Sequence, residues 1–563
     1  MPAKANLGTG STVALAEWDR HTLAFVADED ESAVHVVDVE SGRKLSSTSL
    51  SGKPSQLVFM SDGRLAVTIR DRSEVAVLEP ATASNQPLEQ RCAVPTAAEP
   101  VALASSGKGL IVSSGWGRAL TVFDGAMKEK ARIPVGREPR AVVVSADGRS
   151  AFVTHAVGGR TSVVNLETRE VRSVSLEGRH DHEIDTFRAD LQNKLKLAEK
   201  LGDAAKKREI VAALETLEQN VTHKEQFPTR RTSCQGFALA KSVEPDGRVL
   251  APQVLVDPGD PSRRTVGYGD ENVQTELPSV AVLDESTGYP VPNSLRITQM
   301  FHFNPRGDGD TEHCILPRAA AVDGKSQSLL VGCYGIDAVV AYDALSTEPV
   351  LAEKRRWRVG AGPNGIAVDE RAHRAVVWSQ FDRILNVIPL GDAELETEEG
   401  GDDKSVRRIE LRADPKRQVS VAQALGRSLF HASGDSRIAR DGRACASCHP
   451  DGRDDGLVWA TPNGARRTKM LAGMLAHTAP YSWDGNAHEL RDHVTETFKR
   501  LNGVGGLRSV ELRALMAYVQ SLAPPSVNAA KGDVQVERGA EIFASKQAGC
   551  TGCHNGTLYT DNK

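Results

Sequence analysis

Between residues 11 and 412, seven tight polar turns each join two short β-rich runs: Trp18-Asp19, Asp62-Gly63, Ser106-Gly107, Asp147-Gly148, Asp246-Gly247, Asp323-Gly324 and Asp369-Glu370. The clearest unit holds two strands in Pro139–Thr154 about its Asp-Gly hairpin, then two more at Ser162–Asn165 and Val171–Leu176. Four short strands every ~40–45 residues mark a β-propeller blade. One such unit cannot bury both of its faces, so seven of them must close into a ring. A proline opens the first run of five units, at Pro54, Pro100, Pro139, Pro317 and Pro363. Proline has no N–H to donate, which suits the innermost edge of a sheet. A two-sheet sandwich is the competing all-β fold, but it does not explain the period.

The unit resembles the YVTN-type propeller repeat more than the WD40 repeat, since it has no Gly-His…Trp-Asp pair. Residues 1–10 read as an N-terminal tail. Two intervals are too long for one unit. Between Gly148 and Gly247, residues 184–221 show apolar positions at i, i+3 and i+4 around a Gly202-Asp203 break, predicting an αα-hairpin inserted after blade four. Its alternating Lys and Glu read as a solvated face, with docking against the rest of the chain as the sharper alternative. Between Gly247 and Gly324 lie polar loops at 257–278 and 304–312, long enough to carry function. Arg140, Arg318 and Asn364, which open inner strands, are expected at one mouth of the channel, where they either bind an anion or partner or only cap strands. The acidic run Glu394–Asp403 reads as a solvent loop of blade seven.

Beyond Asp414 the pattern turns helical and a different chemistry enters. Cys445-Ala-Ser-Cys448-His449 and Cys550-Thr-Gly-Cys553-His554 are two copies of C-x-x-C-H, the attachment site of a c-type haem. The two thiols bond the haem covalently and the adjacent His reaches the iron. A zinc ribbon would need two C-x-x-C pairs ~15–20 residues apart, and a thioredoxin-like pair would need a βαβ setting. Neither condition holds. Gly426–Phe430 and Gly539–Phe543 share a G-x-x-[LI]-F pattern ahead of each motif, which argues for a duplicated domain. The expected organisation is therefore a multidomain chain: a seven-bladed propeller over 11–412, an all-α cytochrome c domain over 413–526 and the start of a second over 527–563. Because the chain ends at Lys563, soon after His554, the second domain reads as incomplete, with its haem loosely held or absent.

The stretch Cys445-Ala-Ser-Cys-His-Pro, Arg466-Arg-Thr and Thr478-Ala-Pro-Tyr-Ser-Trp483-Asp-Gly resembles the bacterial di-haem cytochrome c peroxidase superfamily, which includes MauG-type enzymes. The likeness lies wholly beyond the propeller. It implies a first haem that meets hydrogen peroxide, a second that supplies electrons, and a Trp between them, here Trp483. It implies calcium as well. Trp483 is otherwise a core residue packed on a haem face. No His follows the first motif at Gly456–Trp459, so its iron is expected to be open. Met470, Met474 and His477 are near enough in sequence to ligate it instead, His477 being the best of them. The family's acid–base segment is not recognisable; His488, Glu489, His493 and Glu496 follow the W-D-G, and Glu496 is the choice for moving the proton.

Covalent haem attachment points to the periplasm, although the N-terminus has no apolar h-region, so a signal peptide is expected to have been removed. In that compartment Cys314 and Cys333, flanking the Asp323-Gly324 turn, are expected to form a disulfide. Cys92 and Cys234 have no assigned partner. The 563 residues carry a net charge of −5, which gives no electrostatic footprint for nucleic acid, and no run of ~20 apolar residues that could span a membrane. The resulting expectation is a peroxide-dependent di-haem oxidoreductase whose propeller docks a small redox protein or presents a protein substrate. The alternatives are an electron-transfer cytochrome with both irons six-coordinate, and a dehydrogenase with its substrate site in the propeller.

Overall fold

The computed structural model describes the chain except residues 1–3, 6–7, 80–84, 108, 178–180, 209, 213, 216–230, 243–246, 270–273, 292–293, 295–312, 392–403, 415–418, 474, 476–477, 527–533 and 561–563. The expected loop at 304–312, the acidic run and His477 lie outside the described residues. Seven antiparallel sheets form the propeller, each built from one continuous stretch of chain. All five expected prolines open inner strands: Pro54–Phe59, Pro100–Ser106, Pro139–Val144, Pro317–Asp323 and Pro363–Asp369. Inner strands of successive blades lie side by side, and Val13–Trp18 of blade one touches both Pro54–Phe59 and Pro363–Asp369, which closes the ring.

Among the described residues, closure borrows no strand from the opposite end of the chain. Blade seven runs from Pro363–Asp369 to Arg407–Glu410, and blade one ends at Arg43–Ser49. The seam is apolar, with Val13, Leu15, Val26, Val376, Trp378 and Leu385 buried in one cluster. Hydrogen bonds stitch its edge: the Ile366 amide donates to Ser11 Oγ at 3.1 Å and Thr22 Oγ1 to Asp369 Oδ2 at 2.8 Å. The expected tail is part of the ring. The Ser105 amide donates to the Gly8 carbonyl, and the Gly10 amide to that of Leu103, both at 2.8 Å.

Blade five departs from the four-strand unit. Its inner strand is broken into Thr232–Cys234 and Ala240–Lys241, and both pieces pair with Arg248–Val256. Gln235, in the break, adopts a left-handed φ of 61°. The long interval after blade four holds the helix Asp181–Leu201, and helical residues resume at 204 beyond the Gly202 turn. Leu191, Ala198 and Ile210 bury one another between the two arms. A disulfide joins Cys314 to Cys333, which lies opposite Pro317 in blade six.

Beyond the propeller come the helices Val421–His431, Cys445–Cys448, Leu490–Arg500 and Ser509–Ser521. Ser420 and Gln423 form a reciprocal cap on the first. Gly426 sits where this helix crosses Ser509–Ser521, and a Cβ there would stand 2.0 Å from the Ala514 carbonyl oxygen. Only glycine permits that approach. Phe430, Ile438, Phe498, Leu515 and Val519 form the helical core, and Leu316 of the propeller enters the same cluster. No helix among the described residues is long and apolar enough to cross a membrane.

Candidate functional site at the propeller mouth

The helical region sits on the mouth at which the inner strands begin. Its first C-x-x-C-H faces the ring. Cys445–Cys448 is one helical turn, a spacing that puts both sulfurs on one side. The thiols are half-buried and not joined to each other. The Gln235 amide, from the broken strand of blade five, donates to the carbonyls of Ala446 and Ser447 at 2.9 and 3.1 Å. Ser447 Oγ donates to Glu276 Oε2 of the same blade at 2.9 Å. Cys448 packs among Cys234, Val254 and Ile315 of the propeller and Trp459 of the helical region.

His449 turns its Nδ1 to the Arg453 carbonyl at 3.1 Å. With the proton there, the lone pair lies on Nε2, the arrangement a metal-ligating imidazole requires. Burial pushes its pKa down to about 4, so the ring is neutral at pH 7. Burial also pushes the Cys445 thiol up to about 12 and that of Cys448 well above its ordinary range. Thiol–disulfide chemistry needs a thiolate, so these values argue against a thioredoxin-like pair. Neither motif contributes to a three-ligand metal cluster among the described residues. The buried Asp28, Glu31 and His35 do form such a cluster, but Arg383 pairs with both of its carboxylates. Two free thiols one turn apart beside a neutral, oriented imidazole fit covalent haem.

The second motif, on a 3-10 turn at Cys550–Gly552, also sets its His against a backbone carbonyl but lacks the surroundings. His554 Nδ1 faces the Tyr559 carbonyl at 3.1 Å, and Phe543 stacks near both rings. Yet the helix Val534–Ala544 has no buried residue, and Cys553 and His554 are exposed. Gly539, the counterpart of Gly426, meets nothing within 4 Å.

Just past the first motif, Asp451 enters the channel mouth. Its carboxylate receives Arg70 of blade two at 2.9 Å, Arg140 of blade four at 3.1 Å and Arg318 of blade six at 3.2 Å. Arg453 reaches past it to pair with Glu138 at 2.6 Å and with Glu99. Burial would raise the Asp451 pKa, but Arg70, Arg318, Arg140 and Arg453 hold it well below the carboxylate range. The same conflict, resolved by Arg70, Arg140 and Arg453, brings Glu99 down to about 2. Arg140 and Arg318 thus gather at the mouth as expected. Asn364 does not join them: it accepts a hydrogen bond from Thr12 at 3.2 Å. A second tie runs from Arg427 to Asp30, in two-point contact at 2.9 and 3.1 Å.

Among the other residues named from sequence, Trp483 is half-buried. Its Nε1 donates to the Arg467 carbonyl, and its ring lies 6.3 Å from that of Tyr268. Tyr268 belongs to the 257–278 loop of blade five and packs beside Cys448, so this loop walls the motif. Glu496 is exposed and pairs with Lys499 and Arg500 of its own helix. Its neighbour His493 is the group of that helix near enough to His449 to bias its charge. Sequence reasoning missed Arg70, Glu99, Glu138, Gln235, Phe237, Tyr268 and Asp451. The Pro-Asp-Gly directly after the first motif was the available signal for Asp451.

The sequence matches no protein-family profile and no characterised protein sequence. Several solved structures share a general likeness. Kuenenia stuttgartiensis hydrazine synthase is 16% identical, over 65% of this chain and 92% of that one, with a TM-score of 0.44. The dihydro-heme d1 dehydrogenase NirN is 12% identical over 66% and 62%, with a TM-score of 0.37. Virginiamycin B lyase from Staphylococcus aureus is 9% identical over 66% and 92%, also at 0.37. At these scores none of them bears on what the site does.

Proposed function

We propose that the chain is a periplasmic c-type haem oxidoreductase of the di-haem peroxidase or MauG type, with the propeller holding the first haem loop and docking a redox partner or protein substrate. The observation that carries this reading is the first motif itself: unlinked Cys445 and Cys448 on one turn, beside His449 held neutral with Nδ1 on a carbonyl. A haem held there by Cys445, Cys448 and His449 would supply an iron able to exchange electrons and to react with peroxide. His449 Nε2 would be its protein ligand, and His554 that of a second haem at Cys550 and Cys553.

The remaining residues support that chemistry. Burial keeps His449 from taking up a proton that would remove its lone pair. The clamp on Asp451 fixes the chain two residues beyond it. Trp483 and Tyr268 form an aromatic pair beside the motif, and a π system accepts a hole that an aliphatic side chain cannot. His493, close to His449, takes the proton-handling role in preference to Glu496, whose carboxylate is engaged with two cations. The Cys314–Cys333 disulfide suits an oxidising compartment.

The test is optical. Chain matured with covalent haem should show a high-spin ferric species that changes on adding peroxide, and His449→Ala should abolish that response. Chain that takes up no covalent haem would overturn the reading. Low-spin haem indifferent to peroxide would replace it with an electron carrier.

A further inference from the structure

Arg318 is a guanidinium at the mouth with two unmade hydrogen bonds among the described residues. Its Nη1 serves Asp451 at 3.2 Å, and its side chain is only 8% exposed. Among the described residues, Nε and Nη2 have no hydrogen-bond partner. These two N–H groups share one edge of the guanidinium, the two-donor edge that matches a carboxylate or phosphate in bidentate fashion. One face of the group is fixed by Phe237, whose ring centre lies 3.4 Å away, and Tyr334 lies 5.2 Å off. Arg140, 1% exposed, stands over the same Phe237 ring at 5.2 Å, and its Nε is likewise without a partner.

Arg70, Arg140 and Arg453 each engage two of the three carboxylates of Glu99, Glu138 and Asp451, whereas Arg318 meets Asp451 alone, through one nitrogen. Leaving a buried cation with two unmade hydrogen bonds is costly, and folded proteins supply a partner for such groups. A clamp serving only to hold Asp451 would not need the free edge.

We propose that the propeller mouth is a binding site for a small oxyanion, a carboxylate or a phosphate-type anion, held by the free edge of Arg318 and by Arg140 against Phe237. The site lies on the ring axis, where arginines of alternate blades converge, and does not depend on haem being bound.

The full chain, in chloride-free buffer, is titrated calorimetrically with sodium acetate and, separately, with inorganic phosphate. One site per chain is expected for at least one of them, and which one binds decides between the carboxylate and the phosphoryl source. Arg318→Lys keeps the charge but has no two-donor edge, and should weaken binding at least tenfold with the circular dichroism spectrum unchanged. Should that variant fail to fold, crystals of the parent chain soaked in the anion that binds must show it within hydrogen-bond distance of Arg318 Nε and Nη2. Binding of neither anion, undiminished binding by Arg318→Lys, or density showing only water or a haem propionate on that edge overturns the proposal.

Discussion

Glu276 is a carboxyl that burial pushes up to about 8, against the opposing pull of Arg443 and the Ser447 hydroxyl. The unfolded chain gives up this proton near the ordinary value of 4.5. Between these two values the folded state holds a proton that the unfolded state has lost. Stability therefore falls as pH rises through this window, by on the order of a few kcal/mol for a group so buried. Glu276→Gln keeps an acceptor for Ser447 and carries no proton to lose. Its stability relative to the parent should be higher at pH 8 than at pH 5, read as the difference in urea midpoints. Equal differences at both pH values would refute this. The comparison with the parent matters because buried His155 and His449, each pushed to about 4, act in the opposite sense. Their contribution is lost as pH falls from about 6.5 toward 4, and it cancels in the comparison.

Two helices with one sequence pattern show what an element owes to its surroundings. In Val421–His431, a Cβ at Gly426 would collide with the Ala514 carbonyl and approach Tyr518 Cβ at 2.7 Å. Gly426→Ala should force the crossing apart and cost about 1–3 kcal/mol, seen as a lower thermal midpoint. In Val534–Ala544, Gly539 meets nothing. Gly539→Ala should leave the midpoint unchanged and raise helicity, because alanine is favoured by up to ~1 kcal/mol inside a helix. Similar losses in both variants would mean that the crossing does not explain the glycine. From sequence the two patterns read alike, since neither states what lies across from it. The inner strands were legible because proline and the turn residues act locally, through φ and a missing donor. Blade five was not legible. At Gln235-Gly236-Phe237 its inner strand breaks and brings Phe237 under Arg140 and Arg318.

At the scale of the molecule, ring and helices are joined through charge. Arg140 and Arg318 could be named from their places at strand starts, whereas the Pro-Asp-Gly turn marks Asp451 without telling what it meets, because its partners lie in blades two, four and six. Removing one member of a buried ion-pair group leaves the others uncompensated, at a cost of about 3–5 kcal/mol. Asp451→Ala should therefore uncouple the parts. Calorimetry of the parent chain is expected to show one melting transition, and that of the variant two, the helical one at lower temperature. A single transition at the parental temperature would show that the carboxylate does not join them. The clamp also acts as a gauge of the ring's circumference. One carboxylate lies within 3.2 Å of arginines from three alternate blades only when they are spaced around a circle of the right size. A ring short of a blade, or splayed at the seam between blades one and seven, would offer Asp451 an arc instead of a ring. The helices would then lose their seat, so their docking reports that all seven repeats have closed.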